Sequence, residues 1–562
     1  MKYLVSQLMY FFQDKPMRRN LRTLGKFLIV IAAAITIYTI LFHFIMEYEG
    51  RQYSWVTGFY WTLTTMSTLG FGDITFTSDP GRAFSVIVLL SGIVFLLIML
   101  PFTFIRFFYA PWLESQAHSS TPRKLPEGTE NHVIMTNYEP IAMSLIRKLS
   151  QYDLKYVVSV QDTQAAAELL NMNVRVVIGE LDKTETYQKL RVEKAAIVFV
   201  NNDDMLNTNI TATIREVSES VPIITIADAP HSIDILDLAG ATHVYQFTTM
   251  LGVTMARRAH GVSAQANIVG SMGSILIAEA YAAQTPYAGK ELIKIGLREK
   301  TGVIVVGIWQ RGNFEIPRPQ TVIHPNSMLL LSGSEEHFRR YDEFVGSVRT
   351  YEDPVVILGG GRVGQAAAET LEELGIDYRV VEKNRDSIKD GNKYVLGDAA
   401  DVHTLERAGI STESPTVLIT THDDDINIYL TIYCRELRPN IQIISRAIRD
   451  RNISKLYSVG ADIVISYASM GANRIFNILK PDEMLMPTEG LNVFKARVTA
   501  SLTDKTLAES QIRRKTECNL IAIRSDDSYN INPDPTVKLK KNEELILIGT
   551  AEAEKEFKNV FS

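Results

Sequence analysis

The sequence predicts a membrane α-helical segment followed by two tandem α/β units of Rossmann type, each with a small α+β lobe. Three observations lead to this fold class. Two long apolar stretches lie near the N-terminus, at 27–46 and 83–108. Beyond them, sequence blocks recur at a spacing of about 220 residues. Within each block, short β-branched runs alternate with helical patterns, which is typical of βαβ units and a parallel sheet.

Length and composition limit the interpretation further. The chain has 562 residues and a formal net charge of −6. Roughly 430 residues follow position 130, so more than one soluble domain is expected. The two cysteines, Cys434 and Cys518, are far apart in the sequence, and a disulfide framework is therefore not expected.

Each apolar stretch is long enough to cross a bilayer as a helix, which takes about 20 residues. Between them, the aromatic-rich segment 54–65 is too short to cross. It leads into a loop formed by Thr68, Leu69, Gly70, Phe71, Gly72 and Asp73. Non-helical backbone is tolerated at membrane depth only inside protein or beside a wet cavity. The pattern therefore favours a two-helix pore with a re-entrant loop over a hairpin anchor with a glycine-containing loop.

The loop at 68–73 resembles the selectivity filter of potassium channels, whose usual form is Thr-Val-Gly-Tyr-Gly-Asp. In such a filter, rings of backbone carbonyls replace the hydration shell of K⁺. Gly70 and Gly72 allow the positive φ angles that aim these carbonyls at one axis. The resemblance implies a homotetramer, because four copies close the ring. Leu69 and Phe71 replace the usual valine and tyrosine but leave the carbonyls unchanged, so we expect K⁺ selectivity to persist.

The distribution of basic residues predicts that both termini are cytoplasmic. Five Lys or Arg residues lie at 15–26 and three at 106–124, against two in the segment between the spans. We therefore expect a multi-pass protein of the cell (inner) membrane that contacts lipid. Gly92 lies near the middle of the second span, where a glycine permits either a gating hinge or close helix packing. Both roles stay open at this point.

The rest of the chain repeats itself. The matching segments are 132–135 with 355–358, 156–158 with 379–381, 178–180 with 396–398, and 196–204 with 416–424. A second, smaller block follows each of these units, and 297–301 matches 512–516 while 328–333 matches 544–549. The smaller block predicts a compact β-rich lobe with a terminal helix.

A Rossmann-type lobe plus a small lobe, twice, behind a two-helix pore resembles the RCK (regulator of K⁺ conductance) units of ligand-gated prokaryotic potassium channels. The resemblance implies that the units pair and that eight of them, two from each of four subunits, form a gating ring. We expect a pore domain at 1–109, a linker at 110–130, a first Rossmann lobe at 131–260 and its small lobe at 261–350. The second pair of lobes is expected at 351–480 and 481–562.

The second unit carries a nucleotide-binding pattern. Residues 359–364 fit G-x-G-x-x-G, follow a predicted strand and open a predicted helix. The expected binding residues are Gly359, Gly361, Arg362, Val363, Gly364 and Glu382, with Asp398 added by resemblance to the family. Glu382 ends the next strand, where a carboxylate accepts hydrogen bonds from both ribose hydroxyls and repels a 2′-phosphate. We expect NAD or ADP as a regulatory ligand. NADP held through Arg385, and a structural turn without ligand, stay open.

The first unit lacks this pattern. Residues 136–141 contain no glycine, Glu139 would oppose a phosphate, and Ser159 stands where the ribose-binding acid is expected. We predict that this unit binds no dinucleotide in the Rossmann manner and transmits force to the pore instead.

Calcium is another ligand of this family. Asp203, Asp204 and Asp228 lie at predicted strand ends of the first unit, and oxygen-rich clusters suit Ca²⁺. Ile226 and Ala227 stand where some calcium-gated relatives carry a carboxylate, so the site looks incomplete. Solvated loops are the alternative explanation for these aspartates.

Taken together, these features predict a K⁺-selective channel gated by a cytoplasmic nucleotide, and not an enzyme. We expect no nucleic-acid partner. Two alternatives remain. A membrane-anchored NAD-dependent enzyme is disfavoured because the chain shows no evident substrate domain or catalytic signature, although Rossmann folds host many functions. A regulatory subunit of a Trk/Ktr-type transporter is disfavoured by the covalently attached pore.

Overall fold

The computed structural model describes most of the chain. The described residues are 15–109, 122–259, 265–282, 285–310, 313–325, 327–346, 354–388, 391–411, 416–480, 484–485, 491–526 and 528–561. They divide into two compact bodies. The first holds residues up to Pro122 together with Asp162–Met172, and the second holds Arg123–Gln161 and Asn173–Ser562. Most of the expected linker, 110–121, lies outside the described residues.

The first body contains two long helices with a shorter helix between them. The helices run over Lys15–Tyr48, Trp55–Met66 and Asp79–Gly92. Two segments, Leu24–Tyr48 and Asp79–Phe104, are long and apolar enough to span a membrane. The short helix begins at Trp55 because Ser54 caps it, accepting a hydrogen bond from the Thr57 amide at 3.2 Å. Buried side chains that include Phe42, Trp61 and Phe84 pack the three helices together.

The second spanning helix changes its hydrogen-bond pattern after Gly92. Ile93–Met99 and Ile105–Tyr109 are π-helical, and Leu100–Phe104 between them is α-helical. Pro101, which has no N–H to donate, lies between the two π-helical segments. π-Helical segments are rare in proteins, and those that occur often lie at functional sites.

The second body begins with a six-stranded parallel sheet. Its strands are β1 (His132–Met135), β2 (Tyr156–Val160), β3 (Val176–Ile178), β4 (Ala195–Val200), β5 (Ile223–Ile226) and β6 (His243–Tyr245). Of the helices that follow these strands in sequence, Thr163–Asn171 groups with the first body. The second body holds Pro140–Gln151, Thr184–Lys189, Asp204–Val217, Ser232–Leu238 and Phe247–Arg257. The spatial order β3-β2-β1-β4-β5-β6 is that of a doubly wound Rossmann sheet.

A small lobe with a five-stranded antiparallel sheet follows. Its strands are β7 (Asn267–Met272), β8 (Ile275–Tyr281), β9 (Ile304–Gln310), β10 (Asn313–Glu315) and β11 (Met328–Gly333), in the order β10-β9-β11-β8-β7. Its helices are Leu292–Ile295, Leu297–Thr301 and Glu335–Val345.

The same two lobes then appear again. The second parallel sheet holds β12 (Val355–Leu358), β13 (Tyr378–Glu382), β14 (Tyr394–Leu396), β15 (Thr416–Ile419), β16 (Gln442–Ala447) and β17 (Ile463–Ser466), in the order β14-β13-β12-β15-β16-β17. Its helices are Arg362–Glu373, Val402–Arg407, Asp424–Leu437, Ile453–Ser458 and Tyr467–Leu479. The last lobe holds β18 (Met484–Leu485), β19 (Leu491–Arg497), β20 (Asn519–Ser525), β21 (Ser528–Ile531) and β22 (Glu544–Thr550), with helices Leu507–Ser510, Ile512–Thr516 and Ala551–Phe561. The predicted fold class is confirmed.

The two repeats pair with each other inside one chain. Their small lobes share a buried apolar core that includes Ile275 and Leu330 from the first repeat and Val493 and Ile546 from the second. Their Rossmann lobes pack through helices, and a side chain at Gly252 would lie only 2.3 Å from the Val363 carbonyl oxygen. Such close packing fixes the helix Arg362–Glu373 against the first repeat.

Candidate functional site

The backbone of the candidate filter has the geometry that its glycines were expected to supply. Gly70 and Gly72 have φ angles of 40° and 73°, and Thr68 has one of 62°. The amides of Leu69 and Gly70 both donate to the Thr64 carbonyl oxygen, at 3.0 and 3.1 Å. The loop is therefore joined directly to the end of the short helix.

Two aromatic side chains of the short helix also hold the loop. The Tyr60 hydroxyl donates to Asp73 Oδ2 at 3.3 Å, and Trp61 Nε1 donates to the Ile74 carbonyl at 3.1 Å. Phe71 has no hydroxyl, so these bonds supply anchorage that a tyrosine there could have given. The sequence analysis did not assign these roles, although the aromatic richness of the segment was the available signal.

Gly92 is buried where the second spanning helix meets the short helix. A Cβ at this position would lie 2.2 Å from the Met66 carbonyl oxygen. No side chain fits there without movement of the backbone. This geometry supplies a packing reason for the glycine, and a hinge role stays a prediction.

The glycine loop of the second unit (359–364) lies at the carboxyl end of β12. Gly359 has a φ angle of 109°, which favours glycine. A Cβ at Gly364 would lie 1.9 Å from the Gly359 carbonyl oxygen, so the helix can begin only with glycine there. By contrast, a Cβ at Gly361 would meet nothing within 4 Å. No side chain caps the helix Arg362–Glu373, which leaves its N-terminus for an anion.

Glu382 lies beside this loop at the end of β13. Its Oε2 accepts from the Gly360 amide at 2.6 Å, and its Oε1 accepts from the Asn384 amide at 2.7 Å. Asp398 follows β14 and is exposed, with Oδ1 accepting from the Ala400 amide at 2.9 Å. Both carboxylates thus lie at the carboxyl ends of their strands, on the same side of the sheet as the glycine loop.

The other residues of the predicted site have distinct positions. Val363 is buried. Arg362 reaches the first repeat instead, where its Nη1 lies 2.6 Å from Asp228 Oδ1. Sequence reasoning missed Thr420, whose hydroxyl donates to the Gly359 carbonyl at 2.8 Å and steadies the loop. It directly follows the buried strand β15, and such strand ends are where Rossmann sites form.

In the first unit, protein groups fill the equivalent region. Asn201 Nδ2 donates to Glu139 Oε1 at 3.1 Å and to the Asn137 carbonyl at the same distance. Asn202 Nδ2 donates to the Thr136 hydroxyl at 2.7 Å. Burial raises the pKa of Glu139. Ser159 comes directly after Val158, which pairs with Met135 at the end of β1. Glu382 likewise comes directly after the residue that pairs with the end of β12, so Ser159 has the position in the first sheet that Glu382 has in the second.

The three aspartates considered for calcium have separate protein partners. Asp203 caps the helix Asp204–Val217 by accepting from the Leu206 amide at 3.0 Å. Asp204 accepts from the amides of Asp228 and Ala229 at 2.7 and 3.0 Å. Within the described ranges, no group of three or more His, Cys, Asp or Glu side chains is placed to hold a metal ion. A calcium site at these residues stays a prediction.

Family descriptions match the chain along most of its length. An ion-channel description matches residues 26–109. The TrkA-N domain matches 133–246 and 355–467, and the TrkA-C domain matches 280–346 and 494–562. These are the pore and the duplicated lobes described above.

Individual relatives agree. The GsuK channel, in a structure bound to NAD, is 35% identical with a TM-score of 0.59, and the match covers 97% of this chain and 99% of that one. Potassium channel protein 1 of Methanocaldococcus jannaschii is 25% identical over 39% of this chain and 70% of its own length. The Trk system potassium uptake protein TrkA homolog of Pyrococcus abyssi is 28% identical over 37% of this chain and 96% of its own length. The chain therefore belongs to the potassium channels, a family of membrane channels and not enzymes, that join a two-helix pore to two tandem RCK units.

Proposed function

We propose that this protein is a tetrameric K⁺ channel whose opening is controlled by NAD or ADP bound to its second RCK unit. The observation that carries the proposal is the contrast between the two units. The second has an uncapped helix N-terminus behind a glycine loop with Glu382 beside it, whereas Glu139 and asparagine side chains fill that region in the first. The NAD bound to the GsuK channel supports the choice of ligand.

The assembly and placement in the membrane belong to the same proposal. Four filters formed by Thr68, Leu69, Gly70, Phe71 and Gly72 close one K⁺-selective ring, and eight RCK units form the gating ring. The excess of basic residues before the first span and after the second supports an orientation with both termini on the cytoplasmic side of the inner membrane. We do not extend the proposal to calcium, because Asp203, Asp204 and Asp228 are held by protein groups.

Single-channel recording tests the proposal directly. The purified protein is placed in a planar lipid bilayer, and NAD or ADP is added on the side of the soluble units. We expect K⁺ currents whose open probability changes with nucleotide, because a ligand that binds one state better shifts the equilibrium. No change in either direction at millimolar nucleotide would contradict nucleotide gating.

Two glycine variants show whether the glycine loop is the site. Gly361→Ala puts a methyl group into open space, so the empty loop keeps its shape while the ligand loses room. We expect nucleotide affinity, measured by calorimetry, to fall about tenfold or more. Gly128→Ala is the matched control, since a Cβ there also meets nothing within 4 Å. Equal affinities in the two variants would move the site elsewhere.

A further inference from the structure

Arg362 of the glycine loop is bonded to the other RCK unit of its own chain. Its Nη1 lies 2.6 Å from Asp228 Oδ1 and donates to the Asp228 backbone carbonyl at 3.1 Å. Asp228 follows β5 of the first unit, so the bond crosses between the two repeats. Arg362 is also the first residue of the helix whose N-terminus faces the proposed phosphate site.

Asp228 is held firmly on its own side. Its backbone amide donates to Asp204 Oδ1 at 2.7 Å, and the Ala229 amide donates to Asp204 Oδ2 at 3.0 Å. Asn207 Nδ2 donates to the Ile226 carbonyl at 2.9 Å and so fixes the end of β5 that precedes Asp228. The backbone that carries the Asp228 side chain is therefore fixed within the first unit.

Both side chains of the ion pair are exposed to solvent. The side chain of Arg362 is 55% exposed and that of Asp228 is 52% exposed. Exposed ion pairs are weak, typically about 0.2–1 kcal/mol, and exchange readily for another anion. A guanidinium has five N–H donors in a planar fork and binds phosphate oxygens bidentately. A nucleotide phosphate at the start of the helix therefore has the charge and the reach to take this arginine.

We propose that Asp228 and the nucleotide phosphate compete for Arg362, so that nucleotide binding releases an ion pair that joins the two RCK units. The inference rests on the proposed function, since it requires a nucleotide at the glycine loop. Linkage makes the effect reciprocal: the ion pair lowers nucleotide affinity by the factor by which nucleotide weakens the ion pair. Arg362 thereby connects occupancy of the second unit to the loop after β5 in the first.

Calorimetric titration of the full-length protein with ADP tests the competition. Asp228→Asn removes the competing charge, and we expect ADP to bind about 1.5- to 5-fold more tightly. Arg362→Gln should weaken ADP binding, and in that background Asp228→Asn should bring no gain. Adenosine, which has no phosphate, should show no gain with Asp228→Asn. Asp234→Asn is the matched control, because it removes an exposed charge from the same unit.

Each result decides the matter. An unchanged or weaker ADP affinity in Asp228→Asn overturns the inference, and a weaker affinity would mean that Asp228 positions the arginine for the ligand. A gain in affinity that persists in the Arg362→Gln background also overturns it. If the unaltered protein binds neither ADP nor NAD, the proposed function fails and the inference fails with it. Binding by the unaltered protein with no effect of Asp228→Asn leaves the proposed function standing alone.

Discussion

Among single residues, Glu382 offers a specific test of the proposed nucleotide site. Both carboxylate oxygens accept hydrogen bonds from backbone amides. Glu382→Gln therefore loses one of these hydrogen bonds, together with the charge that repels a 2′-phosphate. The change also weakens the hydrogen bonds that the ribose hydroxyls of NAD are expected to donate to this carboxylate. Hydrogen bonds to charged groups contribute about 1.5–3 kcal/mol, so we expect NAD affinity to fall roughly 10- to 100-fold. The preference for NAD over NADP should narrow as well. Calorimetry with both ligands measures this, and an unchanged NAD affinity would remove Glu382 from the site.

Glu139 gives the first unit a distinct pH response. Burial raises its pKa, so the native state holds this proton more tightly than the unfolded state does. The resulting stabilisation is present below the unfolded pKa and is lost as the pH rises through the native pKa. Glu139→Gln stays neutral and should therefore lose less stability than the unaltered protein between about pH 4 and pH 7.

Thermal unfolding of the two proteins across that pH range is the measurement for Glu139. Glu193→Gln, at an exposed position of the same unit, is the matched control and should follow the unaltered protein. Parallel pH profiles for Glu139→Gln and the unaltered protein would show that burial does not raise the pKa of this carboxyl group.

At the scale of elements, local patterns predicted the strands and the glycine loop well. β1 and β12 are found where β-branched runs indicated them, and Gly359 has the positive φ angle that a tight turn requires. Other features depend on contacts between distant residues. The Arg362–Asp228 pair joins positions 134 residues apart, and the π-helical segment Ile93–Met99 has the same apolar character as an α-helix. No local periodicity distinguishes these cases.

The contact between Gly92 and the short helix carries a prediction about two elements. Gly92→Ala would force a methyl group to within 2.2 Å of the Met66 carbonyl oxygen. We expect the protein to lose stability to thermal unfolding, by about 1–3 kcal/mol or more, because overpacking displaces backbone. Gly25→Ala in the first helix meets nothing within 4 Å and is the matched control. A Gly92→Ala protein of full stability with altered gating would instead identify a hinge.

Across the whole molecule, the repeat determines how the soluble part is built. Each small lobe has a sheet face that needs a cover, and the two copies cover each other through one apolar core. The duplication was readable from the sequence, and the resemblance to RCK units implied pairing. That the partners lie in the same chain follows from side-chain packing that only the folded structure displays.

A variant in the filter separates conduction from ligand binding in the assembled channel. Gly70 has a φ angle of 40°, and alanine in such a left-handed conformation costs roughly 1–2 kcal/mol in each copy of the loop. Gly70→Ala should therefore abolish Rb⁺ flux into liposomes while NAD binding by the soluble units stays unchanged. Gly25→Ala should keep both properties. Persistent flux would mean that ions do not pass this loop, whereas loss of NAD binding together with flux would indicate a folding defect. Retained binding without flux would place ion selection and ligand recognition in separate parts of one chain, joined only by gating.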